Sequence, residues 1–99
     1  MSGEEAARQR VDARVVGRVQ GVGFRWWVVE RANALGVTGW VMNEPDERAV
    51  RVVAEGPPPA LDALVAALHR GPRGARVEAV DARRAPASGE HHGFEMRRR

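Results

Sequence analysis

The sequence predicts an α+β fold in which two helices cover one face of an antiparallel sheet. Apolar residues alternate from Asp12 to Gln20 and then recur at helical spacing from Phe24, so a strand leads directly into a helix. Two further alternating segments and a second helical pattern follow, each separated from the next by turn residues. The chain has 99 residues, which suits one domain.

The first helix has an apolar side and ends at a glycine. Its apolar side chains are Phe24, Trp27, Val28, Ala32 and Leu35. Gly36 is the expected residue just beyond the helix, and β-type sequence resumes from Val37 to Asn43. Trp26 and Trp27 point about 100° apart on a helix. We predict that Trp27 lies in the core and that Trp26 packs partly against the sheet edge or the opening loop, a ligand platform being the alternative.

The second half repeats the pattern of strands around a helix. Turn residues run from Glu44 to Arg48, and the alternating segment from Ala49 to Glu55 should form a hairpin with the strand before it. Three prolines open the second helix, whose apolar residues are Leu61, Leu64, Val65 and Leu68. Weaker alternation from Ala75 to Arg84 predicts a strand with a bulge, and residues 94–96 predict a short terminal strand. The order β-α-β-β-α-β plus this strand is the split βαβ, ferredoxin-like sandwich.

Composition excludes several classes of protein. The chain has no cysteine, which excludes disulfides, thiolate zinc sites and thiol nucleophiles. No apolar run approaches the ~18 residues of a membrane span, and the N-terminus lacks a signal-peptide core, so we predict a cytoplasmic protein without membrane association. Residues 1–10 are polar and aperiodic and are predicted to be a flexible tail before a domain over residues 11–99. A net charge of +3 favours small anionic ligands over a specific nucleic-acid partner.

The turn between the first strand and the first helix is the candidate site. It contains Gly21 and Gly23, at which the backbone can adopt conformations closed to residues with a Cβ. Amides that converge at a helix start form an anion site, because they lack intrahelical acceptors and the helix dipole is positive there. Arg25 adds a planar guanidinium able to hold two oxygens of a phosphate or carboxylate. Asn43 closes the second strand, either as a turn former or as a site residue.

Other candidate residues point to weaker sites. His91 and His92 adjoin Glu90 in a loop, but neighbouring side chains on a short loop seldom converge and a fourth ligand is missing, so we predict no metal site. Asp46 and Glu47 are predicted to form a turn rather than an acid-base pair. The terminal arginines are predicted to be a solvated tail.

The strand-to-helix loop and the residues that follow it closely resemble the corresponding segment of the acylphosphatase family. The resemblance is carried by the segment Gly17-Arg-Val-Gln-Gly-Val-Gly-Phe-Arg25, followed by Ala32, Leu35-Gly36, Gly39-Trp40-Val41 and Asn43. It runs in register from about Ala13 to Gly56 and more loosely to Phe94. It implies a small ferredoxin-like enzyme that hydrolyses the carboxyl-phosphate bond of acyl phosphates without a metal or other cofactor.

The resemblance also assigns roles to residues. Arg25 matches the family's catalytic, phosphate-binding arginine, and Asn43 matches the asparagine that positions the attacking water. The loop whose amides hold the phosphate corresponds to Gln20, Gly21, Val22, Gly23 and Phe24. Placing water in line behind an oriented phosphoryl group suffices for this chemistry, because a mixed anhydride has a good leaving group. The expected partners are a small acyl phosphate and inorganic phosphate or other small anions, and the expected state is a monomer.

Two departures from the family and one alternative class remain. The family commonly has Asp-Gly where this chain has Asp46-Glu47, which affects the turn, and Glu44 adds a charge that strand alternation should direct away from the site. The alternative is a non-catalytic ferredoxin-like module, either a regulatory domain or a binder of RNA or another anion. Its basic sheet face would carry Arg14, Arg18 and Arg51. RNA readers of this architecture expose aromatic residues on that face, and this chain has few to offer.

Overall fold

The computed structural model describes residues 8–98, which contain five strands and two helices. In chain order they are β1 (Gln9–Arg18), α1 (Phe24–Leu35), β2 (Thr38–Asn43), β3 (Ala49–Gly56), α2 (Pro58–Arg70), β4 (Arg76–Pro86) and β5 (Phe94–Arg97). The predicted order of elements is therefore confirmed. The glycine beyond α1 is confirmed as well, since Gly36 has φ 72° and its amide donates to carbonyls of the last turn.

The strands form a single sheet in the order β4-β1-β3-β2-β5. β1 is antiparallel to both β3 and β4, and β2 forms the predicted antiparallel hairpin with β3. β5 differs from the expected wholly antiparallel sheet, because it runs parallel to β2 with Gly39 opposite Phe94. The physical reason is the connection from β4. It crosses the end of the sheet where β1 and β2 begin, so β5 starts at that end and runs in the direction of β2.

The core lies between the sheet and the two helices. The sheet contributes Val11, Val15, Val41 and Val52, and the helices contribute Phe24, Val28, Leu61, Leu64 and Leu68, all with at most 1 % of their surface exposed. Trp27 packs against this core as predicted but is only partly buried, with its ring centroid 5.5 Å from that of Phe24. Phe24 is the aromatic residue that lies fully inside, since it starts the helix directly above the sheet.

The N-terminal boundary differs from the expectation. Gln9 and Arg10 fall within the predicted tail, yet they belong to β1 and pair with Gly56 and Glu55 on one side and with β4 on the other. Ladder pairing uses backbone groups, so two polar residues extend a strand without any apolar periodicity to reveal it. The sheet therefore begins at Gln9. Arg8 precedes it as an exposed residue, and residues 1–7 of the predicted tail lie outside the described residues.

The predicted bulge is present in β4. Val16 pairs with Ala79 and Gly17 with Val77, so Glu78 is the extra residue on β4. Gly17 has φ 144°, and a Cβ on it would collide with the Arg76 carbonyl oxygen. Only glycine therefore fits here. The amide of Gly17 is directed instead at the turn between β2 and β3, where it donates to the Arg48 carbonyl at 2.8 Å.

Candidate active site

The loop between β1 and α1 places backbone amides at a helix N-terminus, where helix geometry gives them no intrahelical acceptor. Gly21 and Gly23 have φ 74° and 75°, the left-handed conformations predicted for them. Gly23 caps α1 without a side-chain hydrogen bond, and the first turn contains no acidic residue. The Trp27 amide is the first to bond back into the helix, to the Gly23 carbonyl at 3.1 Å. The amides before it lack such an acceptor, which leaves donors and a positive dipole end for an anion.

Arg25 lies on the first turn of α1 beside this loop. Its Nη1 donates to the carbonyl oxygen of Arg97 in β5 at 3.2 Å, which ties the guanidinium to the edge strand. Among residues 8–98 no carboxylate forms an ion pair with Arg25, whereas several other arginines are paired. The charge of Arg25 is therefore not neutralised by a neighbouring acid, and its remaining N–H groups can hold an anion.

Asn43 is the last residue of β2 and lies close to Arg25. Both residues line a cavity of about 160 Å³ together with Gln20, Gly21, Gly23 and Phe24. The structure thus brings together two residues whose proximity does not follow from their spacing in the sequence. The cause is the sheet order. β1 and β2 are both antiparallel to β3, so they run in the same direction and finish at the same end of the sheet, where α1 begins.

The side-chain oxygen of Asn43 has no hydrogen-bond donor near it among residues 8–98. This Oδ1 is buried and forms no hydrogen bond with the described residues. A buried carbonyl oxygen usually has a partner, because losing its hydrogen bonds to water costs about 1–3 kcal/mol. This acceptor lies on a cavity that also contains Arg25, so a small donor such as water is the natural partner.

Gln20 has a role that the sequence analysis missed. Its side-chain Nε2 lies 3.1 Å from the Glu44 carbonyl oxygen, 3.1 Å from that of Asp46 and 2.8 Å from that of Ala49. These acceptors belong to the turn that follows Asn43. The side chain therefore joins the loop to the turn, and only the backbone of Gln20 remains for an anion. No local pattern reveals this, because the acceptors are backbone atoms more than 20 residues away.

The turn after Asn43 forms without backbone strain, although its sequence differs from the family's usual one. Glu44 points away from the cavity, as strand alternation predicts, and its carboxylate accepts from Arg14 Nε at 2.5 Å. The Arg48 amide donates to Asp46 Oδ1 at 2.9 Å, which closes the turn. In the described chain only glycines have positive φ, so Glu47 adopts no left-handed conformation. The missing glycine therefore causes no strain here.

The alternative function requires a basic open face on the sheet, and acids pair with two of the three arginines predicted for it. Arg14 pairs with Glu44 and Asp46, and Arg51 makes a two-pronged contact with Asp12. The hydrogen bond from Arg51 lowers the pKa of Asp12 and keeps it charged. Trp40 lies between two guanidinium groups on this face, 5.6 Å from Arg51 and 5.0 Å from Arg97. Arg18 is exposed and is the arginine of this set without an acidic partner among residues 8–98, so little free positive charge or open aromatic surface remains around Arg14, Arg51 and Trp40 for RNA.

The loop histidines lie away from the candidate active site, whereas a terminal arginine lies near it. His91, His92 and Glu90 line a different cavity of about 320 Å³, and no group of three His, Cys, Asp or Glu residues in the described ranges is arranged to hold a metal ion. Of the terminal arginines, which were predicted to form a solvated tail, Arg97 belongs instead to β5, and Arg99 lies outside the described residues. Arg98 is exposed and lines a wide opening of about 640 Å³ with Arg25 and Asn43. Across residues 8–98, neither helix has the length and apolar character to cross a membrane.

Comparison with known proteins assigns this chain to a family. The family model described as "Acylphosphatase" matches residues 11–96. The "Acylphosphatase" of Salinibacter ruber is 53 % identical over 95 residues, covering 96 % of this chain and 99 % of that protein. The "Acylphosphatase" of Rubrobacter xylanophilus is 55 % identical over 97 residues, covering 96 % and 87 %.

Solved structures agree with these sequence matches. An acylphosphatase from Coxiella burnetii superimposes with a TM-score of 0.88 at 32 % identity, covering 98 % of this chain and 100 % of that one. Acylphosphatase from Bacillus subtilis gives a TM-score of 0.84 at 35 % identity, covering 89 % and 97 %. The similarity therefore extends over the whole fold, including the loop, α1 and β2 that surround the cavity.

Proposed function

This chain belongs to the acylphosphatase family, whose reaction is hydrolysis of acyl phosphates, and on that premise we propose that the cavity between residues 20–25 and Asn43 is where the reaction takes place. The observation that carries the proposal is that Arg25, Asn43 and the glycine loop line one cavity. A guanidinium, a set of unpaired amides and an unpartnered side-chain acceptor are the groups that phosphoryl transfer to water requires.

The phosphoryl group binds between the loop and Arg25. Amides of Gln20, Gly21, Val22, Gly23 and Phe24 surround its oxygens, and the dipole of α1 adds positive potential. Arg25 holds two oxygens in its planar fork, while the Arg97 carbonyl accepts a hydrogen bond from its Nη1 and restrains the guanidinium. Inorganic phosphate, as the product, binds in the same place. These groups are set before the substrate arrives, so little reorganisation is needed as charge shifts in the transition state.

Asn43 positions the attacking water. Its buried Oδ1 accepts a hydrogen bond from the water, which directs a lone pair of the water oxygen at phosphorus. A bond forms between this oxygen and phosphorus while the bond from phosphorus to the bridging acyl oxygen breaks. The carboxylate leaves with the bonding electron pair, and the protons of the water remain with the phosphate. Within the described chain the 160 Å³ cavity is lined by no carboxylate or histidine, and a carboxylate leaving group makes a general base unnecessary.

The direct test is hydrolysis of acetyl phosphate and benzoyl phosphate by the purified chain, with and without a strong chelator. We expect release of inorganic phosphate from both substrates at a rate that the chelator does not change. Loss of activity on chelation alone would contradict the metal-free mechanism. Absence of hydrolysis both with and without the chelator would contradict the function itself. The cytoplasmic location and the monomeric state stay predictions, and size-exclusion chromatography checks the second.

A further inference from the structure

Two large apolar side chains are exposed among residues 8–98, and both lie at the candidate site. Trp26 has 60 % of its surface exposed and Met96 has 40 %. They come from different elements, α1 and β5, yet line the same 160 Å³ cavity as Arg25 and Asn43. Single exposed apolar residues are common on proteins, but apolar side chains gathered at one cavity mark a place where a ligand binds.

Trp26 differs from the other two tryptophans in its ring contacts. Trp27 packs against Phe24 and lies under the guanidinium of Arg31. Trp40 lies between Arg51 and Arg97. In the described chain Trp26 has no such ring or cation partner, so its indole surface is open at the mouth of the cavity. An open indole is a platform for a flat or apolar group.

We propose that Trp26 and Met96 form a subsite for the acyl group, which selects acyl phosphates with aromatic or bulky aliphatic acyl parts over acetyl phosphate. The inference rests on the proposed function, because the phosphate between the loop and Arg25 determines where the acyl group must lie. That group begins one bond beyond the bridging oxygen and cannot leave the surroundings of the cavity. Trp26 and Met96 form an exposed apolar surface within its reach, whereas Val19 and Phe24, which also line the cavity, are buried.

The subsite is a surface rather than an enclosed pocket, and this sets the size of the effect. Both side chains remain substantially exposed, so an acyl group that contacts them is removed from water on one side only. We therefore expect a preference of about tenfold for benzoyl phosphate over acetyl phosphate in kcat/KM, as for a partial apolar contact. Acyl specificity stays broad.

The test compares the ratio of kcat/KM for benzoyl phosphate to that for acetyl phosphate in several variants of the full chain. We expect Trp26→Ala to lower this ratio about tenfold, Met96→Ala to lower it less, and Trp26→Phe to restore most of it. Trp40→Phe is the matched control, since this tryptophan lies on the open sheet face, and it keeps the wild-type ratio. An unchanged ratio in Trp26→Ala, including an equal loss for both substrates, overturns the subsite.

Unhydrolysable analogues separate this inference from the proposed function. Benzoylphosphonate and acetylphosphonate are titrated calorimetrically against wild type and Trp26→Ala. If no acyl phosphate is hydrolysed, the proposed function fails, while loss of the preference for benzoylphosphonate in Trp26→Ala still supports the apolar subsite. Equal relative affinities in both proteins overturn the subsite, even where hydrolysis of acetyl phosphate is normal.

Discussion

The side-chain amide of Gln20 donates to the carbonyl oxygen of Ala49 at 2.8 Å, and its other close acceptors are the carbonyls of Glu44 and Asp46. This one side chain thus connects the loop before α1 to the turn that follows Asn43. The loop leads into Arg25 and the turn directly follows Asn43, so we expect Gln20 to be a positioning residue whose side-chain amide sets the distance between the two parts of the candidate site.

Replacing Gln20 should therefore misplace Asn43 more than it weakens phosphate binding. Gln20→Ala keeps the backbone amide but removes the donor, and we expect kcat to fall about tenfold while inhibition by inorganic phosphate changes less. Gln20→Glu should be worse in both kcat and Tm, because a carboxylate next to three carbonyl oxygens lacks the required donors. A lower Tm with wild-type kcat in Gln20→Ala would show that the side chain only stabilises the fold.

Arg25→Gln should weaken inorganic phosphate binding and lower kcat/KM together. The guanidinium contacts the phosphate in the ground state and more strongly in the transition state, and losing such a charged contact costs about 2–5 kcal/mol. Arg25→Lys should recover little, since a point charge cannot reproduce the two-pronged contact. The measurements are steady-state kinetics and inhibition by phosphate.

The control for Arg25 is Arg73→Gln, which removes the same charge from an exposed position in the loop after α2. This variant should retain wild-type kinetics. If it lost activity as severely as Arg25→Gln, net charge rather than the contact at the site would explain the effect, and the role assigned to Arg25 would be wrong.

Asn43→Ala should lower kcat by two or more powers of ten and leave inhibition by inorganic phosphate nearly unchanged. Its amide orients water but adds no charge that attracts phosphate, so the loss appears in the chemical step. Thermal melts of the variant exclude unfolding, because Asn43 also ends β2 next to a turn. A folded variant with wild-type kcat, or one that loses phosphate binding as Arg25→Gln does, contradicts this division of roles.

Glu55 should make stability depend on acid pH. It is 1 % exposed, and it accepts hydrogen bonds from the Ser88 amide, the Ser88 hydroxyl and the Gly89 amide. Burial acts to raise the pKa of Glu55, but these hydrogen bonds and the nearby His91 outweigh it, so the pKa is lowered from the usual 4.5. Arg10, 3.8 Å away, is the other facing charge.

The sign follows from this lowered pKa. The stability that ionised Glu55 contributes is fully present above about pH 4.5 and is lost as the pH falls through the lower folded-state value. Glu55→Gln should cost about 1–3 kcal/mol at neutral pH and should flatten the acid side of the stability curve. Urea unfolding between neutral and acid pH measures both effects. A variant whose acid slope equals that of the wild type would assign the slope to other carboxylates.

Local pattern determined which elements form and where the candidate anion-binding loop lies. Helix α1 begins at Phe24, as the helical spacing of its apolar residues predicted, and Gly36 follows its last residue, as the position of this glycine predicted. The β2–β3 hairpin was predicted from the turn residues after Asn43. The loop with Gly21 and Gly23 was recognisable because backbone conformation depends on the residue itself. These are properties of neighbouring residues, and the amino-acid sequence states them directly.

Only the tertiary structure decided which distant groups meet. Asn43 reaches Arg25 because β1 and β2 flank β3, and Gln20 reaches three carbonyls beyond Asn43 through side-chain length and loop direction. The parallel pairing of β5, which brings Met96 to the same cavity as Trp26, depends on the end of the sheet that the chain crosses. Periodicity shows which face of an element is buried, whereas the meeting of two elements depends on strand order and direction, which involve residues far apart in the chain.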